Sequence, residues 1–285
     1  MTSIAIVSLI LIFGMALLVS LVTYAFFWYE AANSTYEKQL RERYGKRLGW
    51  YLLRGIFSGF LSSVITILIY PIGMRWKATS AGTGRRSAGP HLILIHGLYH
   101  NSSAWAFLRR RLRRAGFSRI TDVNYSSFKH DFWEIVEIID QHIARLADTE
   151  KEQVILIGHS LGGLLAKAWV GTRDGGSKIS GLIALGSPHQ GSKLAVLGCG
   201  ALARSISYRG RVVQELQEQL SAVDLPQLAL YSPVDNMVLP ADALRATEPG
   251  WTHVETEAIS HVAMLYHKGT ADAVIRMVQE ISHQN

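Results

Sequence analysis

The longest uninterrupted apolar segment of the chain covers residues 4–28 and contains no charged residue. A helix needs about 20 apolar residues to cross the hydrocarbon core of a bilayer, so this segment is long enough to span one. The segment ends in the aromatic residues 26–29, and such clusters prefer the membrane–water interface. Because the segment lacks the positive start of a signal peptide and is long for one, it predicts an uncleaved anchor. The alternative is a signal peptide that is removed.

A second apolar segment, residues 50–74, follows a polar connector, residues 30–49, which is rich in helix formers and positive charge. The pattern predicts two spans, about 4–28 and 51–74, within an anchor of residues 1–77. The alternative for the second segment is a helix that lies in the interface or packs on the rest of the chain, because Pro71 and nearby glycines weaken a helix. Residues 78–90 are rich in Gly, Ser, Thr and Ala and predict a linker.

From residue 91 onward, short apolar runs alternate with segments of helical spacing. Repeated strand–helix units with continuously apolar strands predict a mostly parallel sheet with helices on both faces, within one domain of residues 91–285. The predicted strands are 91–95, 120–125, 153–157, 178–185, 227–231 and 252–259, and the predicted helices include 103–114, 131–146 and 271–281.

The amino-acid composition limits the kinds of binding partner that we expect. The 285 residues are 48% hydrophobic and carry a net charge of +7, which suits an anionic partner. No nucleic-acid motif is present while two long apolar segments are, so a membrane is the expected partner and nucleic acid is not. Cys199 is the single cysteine, and the sequence has neither a metal-spaced His/Cys cluster nor a phosphate-binding glycine loop. We therefore expect no metal and no organic cofactor.

Candidate chemistry centres on Gly158-His159-Ser160-Leu161-Gly162, which follows an apolar run and precedes a helix-like segment. Glycines two residues to either side of a serine leave room for a tight, strained turn that exposes the hydroxyl. The N–H of Leu161 is then placed to stabilise a developing oxyanion. The pattern predicts that Ser160 is a nucleophile; the alternative is a glycine-rich turn with a capping serine.

A serine nucleophile needs a base, and the base needs an orienting group. Asp235 and His261 each follow a predicted strand, at the edge of a parallel sheet where catalytic groups collect. They are therefore the predicted acid and base. Asp224, Asp242, His253 and His267 are rivals that fit this edge less well.

Two further loops follow predicted strands at the same edge. In His96-Gly97-Leu98, the N–H of Leu98 is the expected second oxyanion donor, while His96 is expected to support the loop. The loop of residues 186–192 contains Ser187 and His189. His189 either contacts a substrate or shapes the loop beside Ser160, and the second interpretation is favoured.

Together these motifs resemble the bacterial lipase/esterase branch of the α/β-hydrolase superfamily. The resemblance covers about residues 90–285 and rests on His96-Gly97, 158–163, 186–192, 232–235 and Ser260-His261. That branch usually has threonine where Ser187 stands. The resemblance implies the α/β-hydrolase fold, with Gly97, His159, Ser187 and His189 shaping the site, and it implies hydrolysis of carboxylic esters by a serine nucleophile.

The resulting hypothesis is a membrane-anchored serine ester hydrolase that acts on lipid or other acyl esters. A thioesterase, acyltransferase or amidase would use the same residues, and a non-catalytic membrane adaptor is the alternative outside enzymes. Residues 195–220 carry enough apolar side chains to border an acyl site. The basic run 109–114 is either a solvated helix face or a surface for anionic headgroups.

Positive residues favour the cytoplasmic side of a membrane, and the connector carries Lys38, Arg41, Arg43, Lys46 and Arg47. With two spans, a cytoplasmic connector puts the catalytic domain on the extracytoplasmic side, in the inner membrane of a bacterial source. If the second segment does not span, the same charges put the catalytic domain in the cytoplasm.

Overall fold

The computed structural model describes residues 2–75, 89–146, 153–172, 179–219 and 225–284. Nearly all of the expected linker, residues 78–90, lies outside these ranges, as does Asp224. The helices are α1 Thr2–Ala32, α2 Tyr36–Tyr44, α3 Leu48–Arg75, α4 Ala106–Arg114, α5 Phe132–Leu146, α6 Leu161–Thr172, α7 Ala201–Ser205, α8 Arg211–Gln219 and α9 Lys268–Gln284. The strands are β1 His91–Ile95, β2 Ile120–Val123, β3 Val154–His159, β4 Ile179–Leu185, β5 Gln227–Tyr231 and β6 Trp251–Glu255.

The described strands form one sheet in the order β2-β1-β3-β4-β5-β6, and every pair is parallel. Alternate residues of the central strands face opposite sides. In β1, Ile93 and Ile95 pack in a core with α5 and α6, while Leu92 and Leu94 pack in a second core with α4 and α9. This confirms the predicted parallel sheet with helices on both faces, and it brings the strand ends at residues 95, 159, 185, 231 and 255 to one edge.

The last strand is shorter than the sequence pattern predicts, since β6 ends at Glu255 rather than at residue 259. Thr256 still donates its N–H to the carbonyl of Tyr231 at 2.8 Å, but the chain then leaves the sheet. Residues 256–261 therefore form a loop that carries His261 back across the carboxyl edge.

We call the segment from β1 to α9 the sheet domain. Helix α3 lies against it at the carboxyl edge of the sheet. Five of its residues, spaced four apart along the helix, bond to that domain. Ser58 Oγ, for example, accepts the N–H of Ser260 at 2.8 Å, and Thr66 Oγ1 lies 2.8 Å from the Tyr266 hydroxyl. The contacts extend over about 24 Å of helix. The five residues are Arg54, Ser58, Ser62, Thr66 and Tyr70.

The connector between the two long helices also contacts the sheet domain. Tyr36 donates its hydroxyl to the carbonyl of Pro233 at 2.8 Å, and Arg43 forms an ion pair with Glu255. Connector and sheet domain are therefore in direct contact. Two spans would place them on opposite sides of a membrane, so these contacts favour the alternative raised from Pro71, a second helix packed on the rest of the chain. The number of spans stays a prediction.

One arginine of the basic run 109–114 on α4 fits neither of the two interpretations of that run. Arg109 is buried and forms an ion pair with Asp122 on β2, so it belongs to neither a solvated nor a membrane-facing surface. The helix buries Leu108, Arg109 and Leu112 as one face against the sheet. Arg110, Arg113 and Arg114 remain exposed, which leaves a smaller basic surface than the sequence suggests.

Candidate active site

Ser160 occupies the sharp turn between β3 and α6. Its φ of 54° lies in the left-handed region, which is strained for a side chain other than glycine. A Cβ on Gly158 would lie 2.3 Å from the backbone of Gly162, and a Cβ on Gly162 would lie 2.0 Å from the carbonyl oxygen of Ile95. Both glycines are therefore needed for the helix to begin directly behind the serine. The turn has the geometry that the sequence pattern predicts.

Asp235 and His261 meet across two neighbouring loops. His261 Nδ1 lies 2.7 Å from Asp235 Oδ2, and both side chains are buried. The other carboxylate oxygen of Asp235 accepts the N–H groups of Met237 at 2.9 Å and Val238 at 3.0 Å. The carboxylate is thus fixed on both sides and holds the imidazole with its Nδ1 side toward the acid.

Two residues that sequence reasoning did not single out join these loops. Ser232 Oγ donates to the carbonyl of Ile259 at 2.5 Å and accepts the N–H of Val234 at 3.2 Å. Asn236 Oδ1 accepts the backbone N–H of His261 at 3.1 Å. Both belong to the segment 232–236 around the predicted aspartate, so proximity to Asp235 was the available signal. Both side chains bond to the loop that carries His261, about 25 residues further along the chain, and no local sequence pattern reveals such a contact.

The rival residues within the described ranges lie elsewhere. Asp242 is exposed on a 3₁₀ helix, Ala241–Leu244. His253 Nε2, on β6, accepts the N–H of Ala246 at 3.1 Å. His267 lies beside Glu257, with 3.5 Å between Nε2 and the carboxylate. None of the three lines the cavity that contains Ser160.

The loop after β1 approaches the serine closely. A Cβ on Gly97 would lie 3.0 Å from the Cβ of Ser160, so a larger residue would crowd the turn. His96 Nδ1 donates to the carbonyl of Gly97 at 2.9 Å and Nε2 accepts the N–H of Tyr125 at 3.3 Å, which requires a neutral ring. Burial lowers the pKa of His96 to about 4, in agreement with that tautomer. Leu98 lines the cavity, and Leu161 begins α6 directly after Ser160.

His159 is a second neutral imidazole next to the site. Its Nε2 lies 3.2 Å from the carbonyl oxygen of His261 and must donate to it. Burial lowers the pKa of His159 well below its usual range, and the neighbouring His261 and His100 lower it further. The ring lines the cavity and packs against the His261 ring at 4.8 Å between centroids. His159 therefore supports the loop that carries His261.

Ser187 and His189 lie behind the site and not on its surface. Ser187 Oγ is so close to α6 that a Cβ on Gly163 would come within 1.9 Å of it. His189 is buried edge-on against Trp251, with ring centroids 4.6 Å apart, and burial lowers its pKa well below the usual range. Neither residue lines the cavity. These positions favour the loop-shaping interpretation of His189 over substrate contact.

Ser160 and His261 open into one cavity of about 430 Å³ whose walls are mostly apolar. The 3₁₀ helix Lys193–Leu197 and the segment after it supply Leu194, Ala195, Leu197, Gly198 and Ile206. The later part of the expected acyl border does not line the cavity, because Leu216 of α8 lies in the core and Val212 packs against it. Helix α1 supplies the facing wall. Among the described residues, no group of three or more His, Cys, Asp or Glu side chains is arranged to hold a metal ion.

Comparison with known proteins identifies a family that the chain matches. Residues 92–281 match the alpha/beta hydrolase family. Methylesterase 17 of Arabidopsis thaliana is 35% identical over 81 residues, 26% of this chain and 29% of that protein. The alpha-hydroxynitrile lyase of the same plant is 36% identical over 81 residues, 26% of this chain and 31% of that protein. This chain thus spans less than a third of the length of either relative.

The lipase BlEst2 of Bacillus licheniformis, in its mature form, has a similar structure. It aligns with a TM-score of 0.61 at 17% identity, over 71% of this chain and 97% of that chain. At this identity the likeness is one of fold. These findings confirm the predicted α/β-hydrolase fold, and the chain belongs to the alpha/beta hydrolase family.

Proposed function

We propose that this protein is a membrane-bound serine ester hydrolase that cleaves carboxylic esters of lipids. The observation that carries the proposal is the bond between Asp235 and His261, at 2.7 Å, beside a strained Ser160 in one apolar cavity. One of the plant relatives is named an esterase and the other a lyase, so the family alone does not choose a reaction. The choice rests on the residues of the site.

In the proposed reaction, Ser160 Oγ attacks the acyl carbonyl while His261 takes its proton. Asp235 holds the imidazole in the required tautomer and stabilises the imidazolium that forms. The N–H groups of Leu98 and Leu161 stabilise the tetrahedral oxyanion. His261 then protonates the leaving alcohol, which leaves an acyl-enzyme. A water molecule, deprotonated by His261, releases the carboxylic acid and restores the serine.

The apolar cavity supports an acyl chain as the part of the substrate that enters the site, because such walls bind hydrocarbon and few polar groups. A thioesterase, acyltransferase or amidase would use the same three residues. Nothing in the cavity favours one of these over an ester hydrolase. An ester is proposed because the motifs of the site resemble those of lipases and esterases.

The proposed membrane attachment rests on α1 and α3, which are long enough and apolar enough to cross a bilayer. The large apolar residues of α1 from Ile4 to Val22 are mostly exposed to the surroundings. Exposed apolar surface of this extent is typical of a lipid contact. We propose that α1 enters the bilayer and that α3 packs on the sheet domain, with residues 91–285 as the catalytic domain.

The test of this function uses the full chain in detergent. We expect labelling by a fluorophosphonate probe, which requires an activated serine, and hydrolysis within a panel of p-nitrophenyl esters, phospholipid and triacylglycerol. Ser160→Ala should abolish both signals, because the nucleophile is gone. Ser205→Ala, a matched loss of a hydroxyl on α7, should leave both unchanged.

The acid and base are tested in the same assay. Asp235→Asn should lower turnover about ten-thousand-fold by favouring the wrong imidazole tautomer, while exposed Asp242→Asn should retain activity. His261→Ala should approach the loss of Ser160→Ala, because these residues act as a unit. Full activity in Ser160→Ala would refute the nucleophile, and no labelling of the wild-type chain would favour the non-catalytic adaptor.

A further inference from the structure

One face of α1 forms a wall of the cavity that contains Ser160. The contributing residues are Val19, Val22, Thr23 and Phe26, whose spacing of three and four places them on one side of a helix. Ser160 and His261 line the same cavity from the sheet domain. The apolar segment that predicts an anchor is therefore also part of the candidate active site.

This wall is held in register with the catalytic loops. Asn236 Nδ2 donates to Thr23 Oγ1 at 2.6 Å, and Asn236 Oδ1 accepts the N–H of His261. Tyr24 donates its hydroxyl to the carbonyl of Val234 at 2.9 Å, next to Asp235. Since Thr23 and Tyr24 are bonded to the loops that carry the acid and the base, the cavity-facing residues of α1 have a fixed distance to the reacting atoms.

The same α1 residues reach the outer surface of the molecule. Val19, Val22 and Phe26 line the cavity and are 42%, 43% and 40% exposed, so this part of α1 is accessible from the surroundings. On the opposite wall, Leu197 is 64% exposed. The opening between α1 and Leu197 is thus apolar on both sides and continues into the exposed face of α1. A hydrocarbon chain passes through such an opening without contact with water.

We propose that α1 forms the wall that selects the acyl chain, with Val22 at its centre, and that the chain enters sideways from the lipid surrounding α1. This inference rests on the proposed ester hydrolase and deepens it. The substrate class that it names is an ester whose acyl chain is long enough to extend from Ser160 past Val22 toward Phe26. Short acyl chains end before this wall and are insensitive to it.

The experiment replaces Val22 with larger residues in the full chain and compares two substrates. The variants are Val22→Phe and Val22→Trp, and the matched controls are Leu21→Phe and Leu21→Trp, because Leu21 is exposed on α1 and does not line the cavity. For each variant, kcat/KM is measured in detergent micelles with p-nitrophenyl dodecanoate and p-nitrophenyl butanoate.

We expect Val22→Trp to lower the ratio of dodecanoate to butanoate kcat/KM by about tenfold or more, since excluding one or two methylenes from a pocket has this effect. Val22→Phe should give a smaller change of the same sign. Turnover of butanoate should fall less than turnover of dodecanoate in both Val22 variants, and both Leu21 variants should keep the wild-type ratio.

An unchanged ratio in both Val22 variants that still hydrolyse butanoate would overturn the inference, as would an equal change in the Leu21 variants. If Val22→Trp loses butanoate turnover, the fold is perturbed and Val22→Phe decides. Failure of the underlying function looks different, because the wild-type chain would then hydrolyse neither ester and would not react with the fluorophosphonate probe.

Discussion

At the scale of single residues, the site depends on close backbone contacts, and the glycines that permit them can be recognised in the sequence. Gly158 and Gly162 could be predicted because the turn at Ser160 leaves no room for a Cβ on either side, and the distances agree. Ser232 and Asn236 could not, because each bonds to the His261 loop, which is near in space and distant in sequence. The steric requirement of a turn is local, whereas a bond between two loops exists only once the sheet has formed.

Histidines with lowered pKa values, among them His96 and His100, make the stability of the fold depend on pH. Burial lowers the pKa of His96 to about 4, and burial together with the nearby His96 and His261 lowers the pKa of His100 to about 3. In the unfolded chain both rings take up a proton below about pH 6.5, while the folded rings stay neutral. The free energy of unfolding should therefore fall from about pH 6.5 to about pH 4, by about 1.4 kcal/mol per pH unit for each ring.

The measurement is the Tm of the full chain in detergent between pH 7.5 and 4.5. We expect Tm to decrease with pH, and we expect a smaller decrease in His100→Gln, which cannot titrate at that position. His283→Gln, at an exposed position of α9, serves as the control and should keep the wild-type slope. An equal slope in all three proteins would show that the buried ring does not contribute.

At the scale of elements, the spacing of apolar residues predicts the strands and helices well. The charge of a residue is a poor guide to whether its side chain is exposed. The run 109–114 reads as a basic surface, yet Arg109 shares a face with Leu108 and Leu112 and is buried with them. Asp122 on β2 provides the counter-charge. A charge at a buried helical position signals a partner on the neighbouring element, and the helical spacing of Leu108 and Leu112 was the available clue.

Arg109→Ala should destabilise the protein by about 3–5 kcal/mol, because it leaves the carboxylate of Asp122 buried without its counter-charge. Arg110→Ala, an exposed neighbour on the same helix, should change stability by less than about 0.5 kcal/mol. Urea unfolding in detergent compares the two variants. Replacing both members of the pair, as Arg109→Met with Asp122→Leu, should recover most of the loss. Equal stability of the two single variants would mean that the pair contributes nothing.

At the scale of the whole molecule, the two apolar segments have different surroundings although their composition is alike. Helix α3 presents polar residues at every fourth position to the sheet domain, while the large side chains of α1 between Ile4 and Val22 are mostly exposed. Hydropathy averages over all faces of a helix and so predicts two equal spans. The polar period from Arg54 to Thr66 was present in the sequence, and its meaning became clear only when the sheet domain supplied the partners.

The contacts of the connector decide which side of the membrane we assign to the catalytic domain. Tyr36 and Arg43 bond to Pro233 and Glu255, so the connector and the sheet domain are in contact. The connector carries Lys38, Arg41, Arg43, Lys46 and Arg47, and positive residues near the end of a span favour the cytoplasm. We therefore expect α1 to cross the bilayer alone, with the catalytic domain on the cytoplasmic side and not on the extracytoplasmic side that two spans predict.

Fusions after Asn285 test this orientation in a bacterial host. Alkaline phosphatase is active only outside the cytoplasm and green fluorescent protein fluoresces inside it, so we expect an inactive phosphatase and a fluorescent partner. Replacing the five positive residues of the connector by glutamine should weaken this bias, because the charges that retain the connector are gone. An active phosphatase on the unmodified chain would contradict the cytoplasmic assignment and would place residues 91–285 outside the cytoplasm, either with two spans or with α1 in the opposite orientation.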